Sequence, residues 1–179
     1  MLELNISGEL YDEAHNEFVT IDPKNIRFEH SLLSLSEWES KWKKPFLVNS
    51  HKTTQEISDY IRMMALEPIS DNELKIVCAR YYGEINEYIE TSHTATTISN
   101  NHGSGRSSSV VTSELIYYWM FSNGIPAEPC ERWNLSRLIT LIEIFAIKNN
   151  PKKKMPKSDI SKMYRSINEQ RRSKLGTSG

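Results

Sequence analysis

The side chains best suited to chemistry in this 179-residue chain are five histidines and two cysteines, and their spacing decides what they can do. A protein-made metal centre needs several His, Cys or carboxylate ligands converging at short, regular separations. His15, His30, His51, His93 and His102 contain no H-x3-H pair, and Cys78 and Cys130 no C-x2-C pair, so no metal site is expected. Gly103-Ser104-Gly105-Arg106 has the glycines of a phosphate cradle. It lacks both the Lys-Ser/Thr pair of a P-loop and the spacing G-x-G-x-x-G, and reads as a plain flexible loop. Serines are frequent, yet none sits in a G-x-S-x-G elbow, and no nucleophile and base can be paired. The expectation is a protein that is not an enzyme and takes no cofactor. The two cysteines read as buried free thiols of a reducing compartment.

Binding is the remaining chemistry. Trp38 and Trp42 lie four apart, on one face of any helix that contains them, and are either an exposed anchor or, more commonly at this spacing, core. Ile116 to Met120 is five consecutive bulky residues, which cannot all share one helical face, so Tyr117 or Met120 is expected to be left for a partner. Lys152, Lys153, Lys154, Arg171 and Arg172 are the candidate basic contacts. No aromatic residue interleaves with them to stack on bases, and nucleic acid is not the expected partner.

The net charge of −1 conceals a division. From Lys148 to Gly179 there are ten lysines and arginines against two acidic residues, a local charge of +8; the other 12 basic and 21 acidic residues leave −9. A basic end on an acidic body suits nucleic acid, an acidic protein partner or the body itself. With 38% hydrophobic and 25% charged residues the chain has an ordinary soluble composition. It is long enough to bury about 70% of its unfolded surface in one core. No apolar run approaches the roughly 18 residues of a membrane span, and Met1-Leu2-Glu3-Leu4-Asn5 does not begin a secretory leader, so a cytosolic protein is expected.

The elements that must position these residues follow from periodicity and punctuation. Residues 1–30 alternate like strands: Leu2, Leu4 and Ile6, then Glu17 to Ile21 after a turn at Asp12 to Asn16, then Ile26 to His30 after a turn at Asp22-Pro23-Lys24-Asn25, three strands in all. From Ser34 the period becomes helical. Ser34 with Glu37 or Ser36 with Glu39, Thr53 with Glu56, and Ser70 with Glu73 fit the S/T-x-x-E capping box, and Gly83 is read as a break. Thr94 to Ile98 is β-prone and suits the sheet edge, while residues 99–110, polar and glycine-rich, are expected to form a mobile loop.

Thr112 or Ser113 caps an aromatic helix that Asn123-Gly124-Ile125-Pro126 ends. Leu135, Leu138, Ile139, Ile142, Phe145 and Ala146 then form a regular apolar stripe expected to pack on it as an αα-hairpin. A basic linker between Pro151 and Pro156 leads to a last helix that Ser158 can cap. The reading is an α+β fold, mainly helical with a small N-terminal antiparallel sheet. Its domain covers residues 1–149 (β-rich at 1–30, helical at 34–149), followed by a basic linker and helix at 150–179.

Four segments carry a likeness to known proteins: Ser34–Leu47 (Ser-Leu-Ser-Glu-Trp-Glu-Ser-Lys-Trp-Lys-Lys-Pro-Phe-Leu), Thr112–Met120 (Thr-Ser-Glu-Leu-Ile-Tyr-Tyr-Trp-Met), Trp133–Leu141 around Asn134-Leu135-Ser136-Arg137-Leu138, and Asn168–Thr177 (Asn-Glu-Gln-Arg-Arg-Ser-Lys-Leu-Gly-Thr). Together they resemble a group of small tailed-bacteriophage proteins that are labelled tail assembly chaperones for their place among tail genes. The likeness runs in patches across most of the chain and departs from the group at Asn100 to Ser109. It implies a non-enzymatic morphogenesis factor in the host cytoplasm. Such a factor binds the helical, aggregation-prone tape measure protein while tail tube subunits assemble, with or without self-association. The alternative is a structural virion component, a minor tail or head-tail connector protein, whose basic C-terminal tail orders on assembly. The likeness carries over no catalytic or ligand residues.

Overall fold

The computed structural model describes residues 1–12, 16–48, 50–96, 110–149 and 157–175. Two strands, β1 (Leu2–Asp12) and β2 (Glu17–Phe28), pair antiparallel. Eight helices follow among the described residues: α1 (Leu32–Trp42), α2 (Thr54–Met64), α3 (Asp71–Arg80), α4 (Tyr82–Glu90), α5 (Ser113–Ser122), the short α6 (Ala127–Cys130), α7 (Leu135–Asn149) and α8 (Lys157–Leu175). The fold is α+β and mainly helical. No helix of the described residues is long and apolar enough to cross a membrane.

The sheet has two strands where three were expected, and the proline explains the difference. Ile6 pairs with Lys24 and Gly8 with Ile21, so Asp22 and Pro23 together oppose the single residue Ser7. The expected turn is a bulge inside one long strand, and a bulge tolerates a residue with no N–H to give to the ladder. Gly8 beside it takes φ +146, and a Cβ there would come within 2.5 Å of the Arg80 guanidinium, which donates to the Ser7 carbonyl at 3.0 Å. The period-2 pattern puts Leu4, Ile6, Ile26 and Phe28 on one buried face. That face is covered by Trp38 of α1, Tyr60, Ile61 and Met64 of α2, Leu74 and Val77 of α3, and Ile85 and Tyr88 of α4.

The capping boxes at Thr53/Glu56 and Ser70/Glu73 form as the sequence predicts, each with both reciprocal hydrogen bonds. Helix α1 starts a turn earlier than predicted, because Ser31 is its N-cap and Ser34, not Glu37 or Glu39, closes the box. Glu39 is thereby freed to accept from the Phe46 and Ser113 backbone N–H groups, each within 2.8 Å. The break between α3 and α4 falls at Tyr81, and Gly83 sits inside the first turn of α4. Thr94–Thr96 form no strand, and the rest of that β-prone stretch and positions 99–109 of the loop lie outside the described residues. A second core joins Leu32 and Leu35 of α1 with Ile116 and Met120 of α5 and Leu135, Leu138 and Ile142 of α7. The expected α5/α7 hairpin does not form as such: α5 packs chiefly against α1, and α7 joins the two in this core.

The chain divides into two compact units, Met1–Ala146 and Ile147–Gly179. Both cores belong to the first. The second contains α8, on which Tyr164, Arg165, Arg171 and Arg172 are exposed. Ser158 falls within the helix and not before it.

Candidate partner-binding surface

Helix α5 is apolar on two faces. Thr112 caps it, accepting from the Leu115 N–H, and Gly124 at φ +70 lets the chain turn away at the other end. Ser113, Ile116 and Met120 recur at i, i+3, i+7 and are buried. Glu114, Tyr117, Tyr118 and Phe121 occupy a second, adjoining face, where Tyr118 is 64% exposed and Phe121 61% exposed. The Tyr117 and Phe121 rings stack with centroids 6.2 Å apart and planes at 21°.

Carboxylates border these rings. The Tyr117 hydroxyl donates to Glu131 at 2.9 Å. Burial first, then that bond and the charges of Glu131 and Glu37, push the Tyr117 hydroxyl well above its usual range. Glu114 is held below the ordinary carboxylate value by its own backbone N–H, helped by the Thr112 and Ser113 hydroxyls and more distantly by Lys43. Among the described residues, Glu37, Glu114 and Glu131 form no ion pair.

Of the residues predicted for partner contact, Met120 is fully buried in the second core. The physical reason was available in the sequence: Ile116 and Met120 are four apart and must share a face, so an inward Ile116 takes Met120 with it. Tyr117 is half-buried and packs against the second core, and the most exposed rings, Tyr118 and Phe121, were not singled out. The signal that finds them is the i, i+3, i+4, i+7 set 114, 117, 118, 121, a second stripe beside the buried one. Trp38 is 1% exposed and its indole N–H donates to the Glu56 carbonyl at 2.7 Å, which makes it core and not an anchor. Trp42 is half-buried, its ring 6.4 Å from that of Trp38. Arg171 and Arg172 are exposed on α8 in the second unit, while Lys152, Lys153 and Lys154 lie outside the described residues.

No protein-family model, curated protein or solved structure matches this chain.

The titratable groups of His30, Tyr60 and Tyr88 lie in the core, and of the two cysteines expected to be buried Cys78 is only partly so. His30 Nδ1 meets the Tyr60 hydroxyl at 2.5 Å, but His30 is 6% exposed and Tyr60 is buried. Burial lowers the His30 pKa to about 4, with Glu29 opposing the shift and His93 adding to it. Tyr88 and Asn134 donate to Glu29 Oε1 at 2.6 and 3.0 Å, tying α4 and the start of α7 to the end of β2. Burial pushes the Cys78 thiol up, away from the reactive thiolate, and Cys130 is buried. Among the described residues no three His, Cys, Asp or Glu side chains gather as a metal-ligand set. A groove of about 550 Å³ runs between α2 and α4, floored by Phe46, Ile57, Ile61, Ile85 and Ile89, with Lys52 Nζ 4.7 Å above the Phe46 ring.

Proposed function

We propose that this protein is a non-enzymatic assembly factor of a tailed bacteriophage, a tail assembly chaperone that binds the tape measure protein before the tail tube encloses it. The observation that carries this reading is the outward aromatic face of α5. A helix whose inner face already satisfies the core has no structural need of Tyr118 and Phe121 on its outer one, and exposed rings of this kind are suited to burial against a partner. A face presented by one helix suits the recognition of another, the natural form of a long helical client. The likeness of Thr112–Met120 to the phage group falls on this same helix.

The test has two arms on one infection. Mass spectrometry of purified virions is expected to lack the protein, and a pull-down from infected-cell lysate with the full chain as bait is expected to capture the tape measure protein. Presence in virions at a fixed copy number would instead make it a structural tail or connector component.

A further inference from the structure

We infer that the outer face of α5 takes a cationic amphipathic helix, one whose apolar stripe is flanked by lysine or arginine. The inference rests on reading that face as a partner site and goes on to define the partner's chemistry. The charge around the rings carries it. Some carboxylates of the first unit have a cation within reach, Lys24 lying 2.8 Å from Glu73, Lys44 2.5 Å from Glu56, Lys41 2.5 Å from Asp59 and Arg27 2.5 Å from Glu67, while others, Glu84, Glu87 and Glu143 among them, form no ion pair among the described residues. What sets the α5 surroundings apart is the company: Glu131 and Glu37 act on the half-buried Tyr117, Glu114 precedes the exposed Tyr118 by one helical turn, and none of the three has a cation at ion-pair distance among the described residues. Lys43 is the nearby cation and reaches Glu114 only through space.

Ring faces are themselves electron-rich and attract guanidinium and ammonium groups. Rings and carboxylates therefore select the same partner. An apolar stripe would cover Phe121 and Tyr118 while flanking basic side chains meet the carboxylates and the ring faces. An acidic or neutral helix of equal hydrophobicity would leave three carboxylates closed in without counter-charge, and like charges meeting across an interface are strongly disfavoured.

The experiment uses the full chain and two synthetic peptides of the same helical pattern, with leucines at i, i+3, i+4 and i+7. One peptide flanks the stripe with lysines, the other with glutamates. Calorimetry is expected to show the lysine peptide binding at least about tenfold tighter, with affinity falling as salt rises. Phe121→Ser and Tyr118→Ser should abolish binding while leaving the thermal transition in place. Glu37→Gln, Glu114→Gln and Glu131→Gln combined should remove most of the preference between the peptides. Equal affinity for the two peptides, binding that survives both ring substitutions, or no binding of either peptide would each overturn the inference. So would a dimer in sedimentation that Phe121→Ser converts to monomer, because the face would then be occupied by a second copy. The peptides contain no phage component, so their failure alongside capture of the tape measure protein would leave the assembly reading standing and remove only this partner chemistry.

Discussion

Helices α2 and α5 are of nearly equal length, 11 and 10 residues, and handle their surfaces in opposite ways. On α2 the charges are answered from within the molecule: Glu56 by Lys44 and the Thr53 N–H, Asp59 by Lys41, and Arg62 by Asp71 and the Ile69 carbonyl. Its buried apolar residues, Tyr60, Ile61 and Met64, serve one core. On α5 the apolar residues outnumber what the core accepts, and the carboxylates beside the surplus lack ion pairs among the described residues. The contrast separates a helix whose charges are paired within the chain from one that leaves rings exposed beside unpaired carboxylates, the arrangement on which the proposed partner site rests.

The largest test sets a core ring against a surface ring. Trp38→Ala, which removes a fully buried indole and its hydrogen bond to the Glu56 carbonyl, is expected to cost about 3–5 kcal/mol in urea unfolding, while Phe121→Ala should change stability by no more than about 0.5 kcal/mol. Similar costs for the two would mean that Phe121 is structural and would dissolve the distinction.

The second test is of pH. The His30 pKa is about 4 in the folded protein against an ordinary 6.5, so between those values the unfolded chain binds the extra proton and stability must rise with pH. The full effect is present above pH 6.5 and is lost as pH falls toward 4. Urea unfolding should show a loss of about 2 kcal/mol at pH 5, approaching about 3 kcal/mol at pH 4. The lowered carboxyls of Glu56, Glu67, Glu73 and Glu114 add their own loss only as pH falls below about 5, so the histidine is read most cleanly between 6.5 and 5. In His30→Gln the slope within that window should flatten, and an unchanged slope would place the titrating group elsewhere.

On the sheet, Gly8→Ala should destabilise by about 1–3 kcal/mol, since it strains a backbone at φ +146 and displaces Arg80 from the Ser7 carbonyl. A neutral result by thermal melting would show that the bulge can relax. The smallest effect compares caps. Thr53→Ala breaks a two-way box and should cost about 1 kcal/mol. Thr112→Ala, which removes a single 3.4 Å bond to the Leu115 N–H, should cost less. The reverse order would make α5 the more tightly anchored helix.

The legible parts of the fold were those decided within a few residues. Thr53/Glu56, Ser70/Glu73 and Thr112 could be read as caps because a capping bond joins groups three positions apart in the chain. Ser31 was missed because its box closes on Ser34, a serine in the place where Glu or Gln is the usual signal. Pro23 was taken for a turn because a proline ends a flat strand, and whether it sits in a bulge depends on the register of β1 opposite. The candidate site was half legible. That α5 carries more bulk than one face can bury follows from Ile116 to Met120 alone, but which side faces the core depends on where α1 and α7 lie.

By itself the sequence determined the periods, the caps, an α+β class with its β segment first, the separation of a basic end from an acidic body, and the surplus of rings on one helix. These are properties of neighbouring residues and of composition. Only the tertiary structure decided that Trp38 is core, that Met120 faces inward while Phe121 faces out, and that Lys44, Lys41, Lys24 and Arg27 reach carboxylates on other elements while Glu37, Glu114 and Glu131 have no such pairing among the described residues. The physical reason is range. A cap or a period is set over a turn of helix, whereas burial and ion pairing are set by whichever element, distant in the chain, comes to lie alongside.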